Sequence, residues 1–239
     1  MNRLTCFRAA ALVVLWLAAT PAALANLTVH PMRLAVEGTH GTQIRVYSQS
    51  PQTQYVQATV KRIIDPATAQ EREVEVAPGE LDAIAITPGK FALAGGGNRL
   101  VRVIPLTPVA QETAYRVYFE GVRPEEESTE LPVIGGEANA RVGVSLVWGA
   151  LVNVVPREPF ADMRLQGEQL HNIGNVRLGV TRVEHCDGQG RCQTHAVDHS
   201  VYPGQPHALP FVPQAGHSVR VHYRLSHAGY RSHERVLSP

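Results

Sequence analysis

Charge is what this sequence has least of. Only 18% of its 239 residues are charged, and 22 Lys and Arg against 21 Asp and Glu leave a formal net charge of +1. Nucleic acid binding draws on clustered basic side chains, so that balance removes the electrostatic case for it. Beyond the N-terminus no run of eighteen or more apolar residues occurs, and no membrane anchor is expected in the mature chain. No long helical period of apolar residues can be found. A phosphate loop is missing too: "AGGGNRL", residues 94–100, has glycines but neither the following lysine nor the start of a helix. Catalysis has little to stand on. Ser145 lies in "VGVSLVWG", which alternates like a strand and is not the sharp turn of a nucleophile elbow. Most of the 11 histidines crowd into the C-terminal third but scatter over strands and turns, as a solvated, mildly pH-sensitive surface would. No metal and no cofactor are expected.

What is present begins with a secretion signal. Arg3 and Arg8 make a basic start, "AAALVVLWLAAT" an apolar core, and Ala23, Leu24 and Ala25 a small-residue cleavage site. Residues 1–25 read as the signal peptide and Asn26 as the first mature residue. Cleavage removes Cys6, one of three cysteines, and leaves Cys186 and Cys192 in an exported chain. They flank the turn-forming "DGQGR" and read as a disulfide stapling a hairpin, worth roughly 2 to 2.5 kcal/mol on the chain-entropy model. The alternative is a zinc site that adds His185 and His195, at a spacing that matches no standard finger.

The rest of the chain is short alternating segments: "QIRVYSQS", "QYVQATVKRI", "LDAIAI", "KFALA", "RLVRVIPL" and "AYRVYFEGV", separated by turn formers such as "EGTHG" and "TPGK". Strands at this spacing predict an antiparallel all-β sandwich. A second set runs from "MRLQGEQLHN" to "SVRVHYRLSH", after the proline-bearing "VPREPFAD". Two sandwich domains in tandem follow, 26–157 and 158–239, both of ordinary domain size.

One segment is too long for its setting. In "VGVSLVWGALVNVV", residues 142–155, the even positions Val142, Val144, Leu146, Trp148, Ala150, Val152 and Val154 are all apolar. At roughly 3.3 Å per residue such a strand spans about 40 Å, more than a small sandwich needs for its own core.

Three passages then resemble the periplasmic pilus-assembly chaperones of the chaperone–usher pathway. "LTVHPMRLAVEG" is an opening strand with Arg33 ahead of an apolar stretch and a turn glycine. "ITPGKFALAGGGNRLVRVIPL" with "ETAYRVYFEGV" is similar to the family's proline turn, short strand, glycine turn and Arg-containing strand; Arg102 and residues 115–119 match best. "LHNIGNVRLGV" is like the turn that opens a strand of the family's second domain. The resemblance spans the mature chain and implies two immunoglobulin-like β-sandwich domains, no enzymatic activity, a periplasmic location, and pilus subunits and an outer-membrane usher as partners. It also gives the long strand a purpose. A pilus subunit lacks its last strand, and the chaperone lends one, here through Val142, Val144, Leu146 and Trp148, with Ala150 to Val154 kept in its own sheet. The acidic segment 123–140 reads as a loop that orders when a partner binds. A bare apolar edge also invites capping by a second copy, a homodimer, when no subunit is present.

The resemblance implies further that two basic residues hold the subunit's C-terminal carboxylate. Arg33 is the first, with a guanidinium fork suited to a carboxylate. The second is ordinarily a lysine in the long strand, and that place holds Leu151; Arg62, Arg116 and Arg157 are the substitutes at hand. The competing reading is an exported adhesin or structural pilus subunit, carrying a donor strand of its own in "NLTVHPMRLAVEG", against which Pro31 speaks.

Overall fold

Alternation decides the architecture strand by strand. In β3 (Thr42–Ser48) Ile44, Val46 and Ser48 are buried while Gln43, Arg45 and Tyr47 turn outward. A strand so divided needs a second sheet against its apolar face. The computed structural model describes residues 27–38, 40–77, 79–81, 83–122 and 146–239, and these form seventeen strands and no helix. The signal peptide assigned to residues 1–25 lies outside them.

The first sandwich packs two sheets. One has the order β1 (Leu27–His30), β3, β8 (Asn98–Pro105), β6 (Ile84–Thr87). The other runs β2 (Arg33–Glu37), β10 (Val147–Val155), β9 (Thr113–Val122), β4 (Gln54–Ile64), β5 (Arg72–Glu75), with β7 (Lys90–Leu93) also paired to β4. Between β1 and β2 the chain changes sheets at Pro31, which has no N–H to give to a ladder. Between the sheets lie Ile44, Val46, Val101, Val103, Tyr115, Val117, Phe119, Ala150 and Val152, each at most 1% exposed. The pairing of β2 with β10 is parallel, the others in this sandwich antiparallel.

The second sandwich packs β11 (Met163–Gln166), β12 (Gln169–Asn172) and β15 (Pro206–Ala208) against the sheet β14 (Cys192–Val201), β13 (Leu178–Cys186), β16 (Ser218–Arg224), β17 (Ser232–Leu237). Leu170, Leu178, Val183, Val219 and Val221 are fully buried between them, and Val155, the last residue of β10, already belongs to this core. Two strands escape the sequence reading: β5, which is four residues long, and β17, whose "SHERVL" is mostly polar and exposed at an edge.

The sandwiches meet along a bonded seam. Ile63 and Ala114 of the first pack on Tyr202 of the second, with Leu151 beside them. The buried Asn153 amide donates to Tyr202 Oη at 2.9 Å, and burial pushes that phenol up to about 12. Glu112, just ahead of β9, accepts from the Arg177 backbone N–H and from Ser226 Oγ, both at 2.8 Å. These contacts fix the angle of the cleft between the two domains.

Candidate strand-lending edge and cleft

β10 carries two different surfaces on one alternation. Ala150, Val152 and Val154 are at most 1% exposed in the first core, while Leu146 and Val147 are 48% and 50% exposed. Trp148 stands between: it faces Phe119 across the β9 pairing and packs, partly buried, against the chain's own core. Two residues earlier, Leu146 falls on the same side with no core beneath it. Val142 and Val144 lie outside the described residues, as does the acidic segment 123–140.

Hydrogen bonding changes along the strand as well. On the β9 side β10 is paired from Val147 onward. On the other side its pairing with β2 begins at Leu151, opposite Arg33, and the Leu151 N–H donates to Met32 O at 2.9 Å. Ahead of that bond, no strand among the described residues covers this edge. Gly149 sits where the strand passes under its neighbours: a Cβ there would come within 3.0 Å of Arg116 Cδ and Tyr118 Cε1.

The face of this sheet turned from its core lines the cleft. One cross-strand row there reads Arg33, Leu151, Arg116, Lys61. Arg33 is exposed, and no hydrogen bond or ion pair engages it among the described residues. Leu151 supports the seam by packing beside Tyr202, which accounts for an apolar side chain at that place. Of the three substitutes, Arg116 is in the row but held by Glu73 at 2.7 Å and Glu71 at 3.8 Å. Arg62 is turned to the other face, over the Tyr115 ring and paired to Glu80 at 2.7 Å. Arg157 packs beside Gly38, at the opposite end of β2 from Arg33.

Across the cleft from Arg33 the second domain contributes Arg177, Ser200, Arg224 and Tyr230, enclosing a pocket of about 260 Å³. Sequence reasoning passed over these four. Arg177 lies in "LHNIGNVRLGV", yet nothing in that string distinguishes a cleft arginine from a solvated one.

Cys186 and Cys192 form a disulfide, which removes both sulfurs from the zinc alternative. His185 instead stacks on Phe211 with ring centroids 4.7 Å apart, and its Nε2 lies 3.0 Å from His217 Nδ1. His195 leans on the same phenyl ring at 5.1 Å.

Fold and site together define a class: paired sandwiches that offer an open strand edge beside a basic cleft. No family model matches the chain. Of the CS1 fimbrial subunits of Escherichia coli, the one designated B is 30% identical over 189 residues, which cover 75% of this chain and 78% of that protein. The crystal structure of the class 5 fimbriae chaperone CfaA has a TM-score of 0.71 at 25% identity, covering 90% of this chain and all of that one. A Pseudomonas aeruginosa chaperone, CupB2, shares the fold with a TM-score of 0.52 at 17% identity over 88% of this chain and 100% of its own. The chain belongs to the family of fimbrial assembly chaperones of the chaperone–usher pathway. A match of both sandwiches to a chaperone structure over 90% of the chain does not favour the structural-subunit reading.

Proposed function

We propose that this chaperone binds pilus subunits in the periplasm by lending them the strand that holds Val142, Val144 and Leu146, and delivers them to an outer-membrane usher. Trp148 marks the junction between the lent strand and the chaperone's own sheet. The division of labour follows the domains, 26–157 presenting the strand and 158–239 closing the cleft. No covalent bond is made or broken. Polymerisation draws on exchange of the lent strand for a better-fitting one, without nucleotide.

The observation that carries this reading is the unpaired stretch of β10 ahead of Leu151, in line with β2. A strand added there forms backbone hydrogen bonds with β10 and abuts the start of β2, where Arg33 stands free. Charge then sets its direction. An ammonium terminus beside Arg33 is repelled, whereas a carboxylate is attracted, so the added strand runs parallel to β10 and ends in the cleft. Arg33 is thus the carboxylate anchor. Without a client, the same edge suits a second copy of the chaperone.

Co-expression with the subunits encoded beside this gene, followed by affinity capture and native mass spectrometry, tests the proposal. The expected product is a one-to-one complex that carries the intact chaperone. A chaperone that captures no client, and instead assembles only with itself into chains, would overturn it.

A further inference from the structure

The cleft contains donors that the protein itself leaves unused. Arg177 is 4% exposed, yet among the described residues its guanidinium makes a single hydrogen bond, from Nη1 to Ser200 Oγ at 2.7 Å. Its Nε is 3.9 Å from Glu112 Oε1, within ion-pair range but without a hydrogen bond. Glu112 has both oxygens engaged elsewhere, by the Arg177 backbone N–H and by Ser226. The Tyr230 hydroxyl, in the same pocket, is a second buried donor without a partner. Its ring lies 5.9 Å from the Arg177 guanidinium carbon. Buried donors are almost always satisfied, so two orphans in one pocket call for an acceptor from outside.

The pocket is built around them. Gly179 makes room for the guanidinium, since a Cβ there would meet Arg177 Nη1 at 3.0 Å and Nη2 at 3.5 Å. Tyr230 is held in the left-handed region at φ 58, a conformation uncommon for a bulky side chain. Arg33 and Arg224 line the same space, and neither has a hydrogen bond or ion pair among the described residues. Asp198 is the one acidic side chain in the lining. Three guanidiniums and a phenol face Asp198, with Glu112 behind Arg177, and the remaining positive charge selects an anion.

We propose that Arg177, assisted by the Tyr230 hydroxyl, is the second group that grips the client's terminal carboxylate, in place of the lysine that Leu151 displaces. This rests on the cleft being the seat of that carboxylate. Arg33 comes from the first domain and Arg177 from the second, so the terminal carboxylate ties the two domains together. Arg177 touches the ligand directly, and Arg224 supports the field at the rim.

The test uses the full mature chaperone and a synthetic alternating peptide, N-acetylated Thr-Val-Thr-Val-Thr-Val-Phe, made with a free C-terminal carboxylate and as the C-terminal amide. Titrations are followed by the arginine Nε–Hε resonances, assigned with single Arg→Lys variants. The free acid is expected to bind at least about tenfold tighter than the amide, roughly the discrimination one charge-assisted contact supplies. It should shift the Arg33 and Arg177 signals together. Arg177→Lys should lose most of that discrimination. Should Arg177→Lys fail to fold, Tyr230→Phe in an otherwise intact protein is expected to weaken the acid several-fold and leave the amide unchanged. If the acid shifts Arg33 but not Arg177, and Tyr230→Phe binds it as well as wild type, the assignment of Arg177 falls while the anchor at Arg33 stands. If acid and amide bind alike and neither arginine moves, the carboxylate reading of the cleft falls with it.

Discussion

The two ends of β10 follow one alternation and reach opposite surroundings. Between Ala150 and Val155 the side chains of Ala150, Val152, Val154 and Val155 are at most 1% exposed, the even ones filling the first core and Val155 the second. At Leu146 and Val147 the same residue types are about half exposed, at 48% and 50%. Hydrophobicity does not separate these ends. What separates them is a facing sheet on one side and its absence on the other, together with β2 pairing that begins only at Leu151. An apolar strand that outruns its own core is half of an interface.

That contrast can be broken from either end. The largest effect is expected from Leu146→Glu. It forfeits the burial of a leucine, about 1.5 to 3 kcal/mol, and puts a carboxylate in an apolar groove at a cost of several more. Client recovery in a pull-down should fall at least about a hundredfold while the melting temperature stays put. Val147→Glu, one residue on and on the opposite face, should keep recovery within about tenfold of wild type; an equal loss from both would deny the alternation its role.

Val152→Ala reverses the pattern. Emptying a fully buried site should lower unfolding free energy by about 2 to 3 kcal/mol in urea titrations, and the folded fraction should still bind subunits normally. Impaired binding by molecules shown to be folded would mean that the two ends are not independent.

Cys186→Ser calibrates both. Under oxidising conditions it should cost roughly 2 kcal/mol, from opening the loop to Cys192, and leave client recovery untouched. A variant as stable as wild type would show that the staple contributes nothing.

The smallest effect concerns the seam. Burial holds the Glu112 carboxyl above its ordinary value of 4.5, despite the bonds from Arg177 and Ser226 that pull it down. A carboxyl whose value is higher folded than unfolded favours the fold fully below 4.5 and loses that contribution as pH rises through the raised value. Relative to Glu112→Gln, the wild type should therefore lose stability from pH 4.5 upward through that raised value, as read by denaturant titrations across the range. The opposite slope would mean that the Arg177 charge outweighs burial.

How far the sequence reached can be seen in particular residues. Alternation located β3, β4, β8, β9 and β13, although only β3 keeps it throughout: Ile63 of β4 and Ala114 of β9 are buried on the other face against Tyr202, and β13 breaks step at a bulge between Val180 and Arg182. Cys186 and Cys192 were legible because a turn string separates them. That Leu151 stands opposite Arg33 was not legible, because the pairing joins strands from the two ends of the first domain. Trp148 shows the limit: parity gives a side chain its face but not the point where a core ends, and the indole packs partly buried against the first core. Arg177 shows another. Its burial depends on Gly179 beneath the guanidinium and on Ser200, which the β13–β14 pairing brings alongside. No local pattern encodes a pocket assembled from three strands and two loops of one domain with an arginine of the other.

The parallel pairing of β2 with β10 also orders events during synthesis. Arg33 to Glu37 leave the ribosome early and must wait for Leu151 to Val155 before their ladder can form. Such closure between remote segments is slow and comes late. Until Leu151 to Val155 are in place β2 has no partner in its sheet, so β10 is the element that closes the first sandwich.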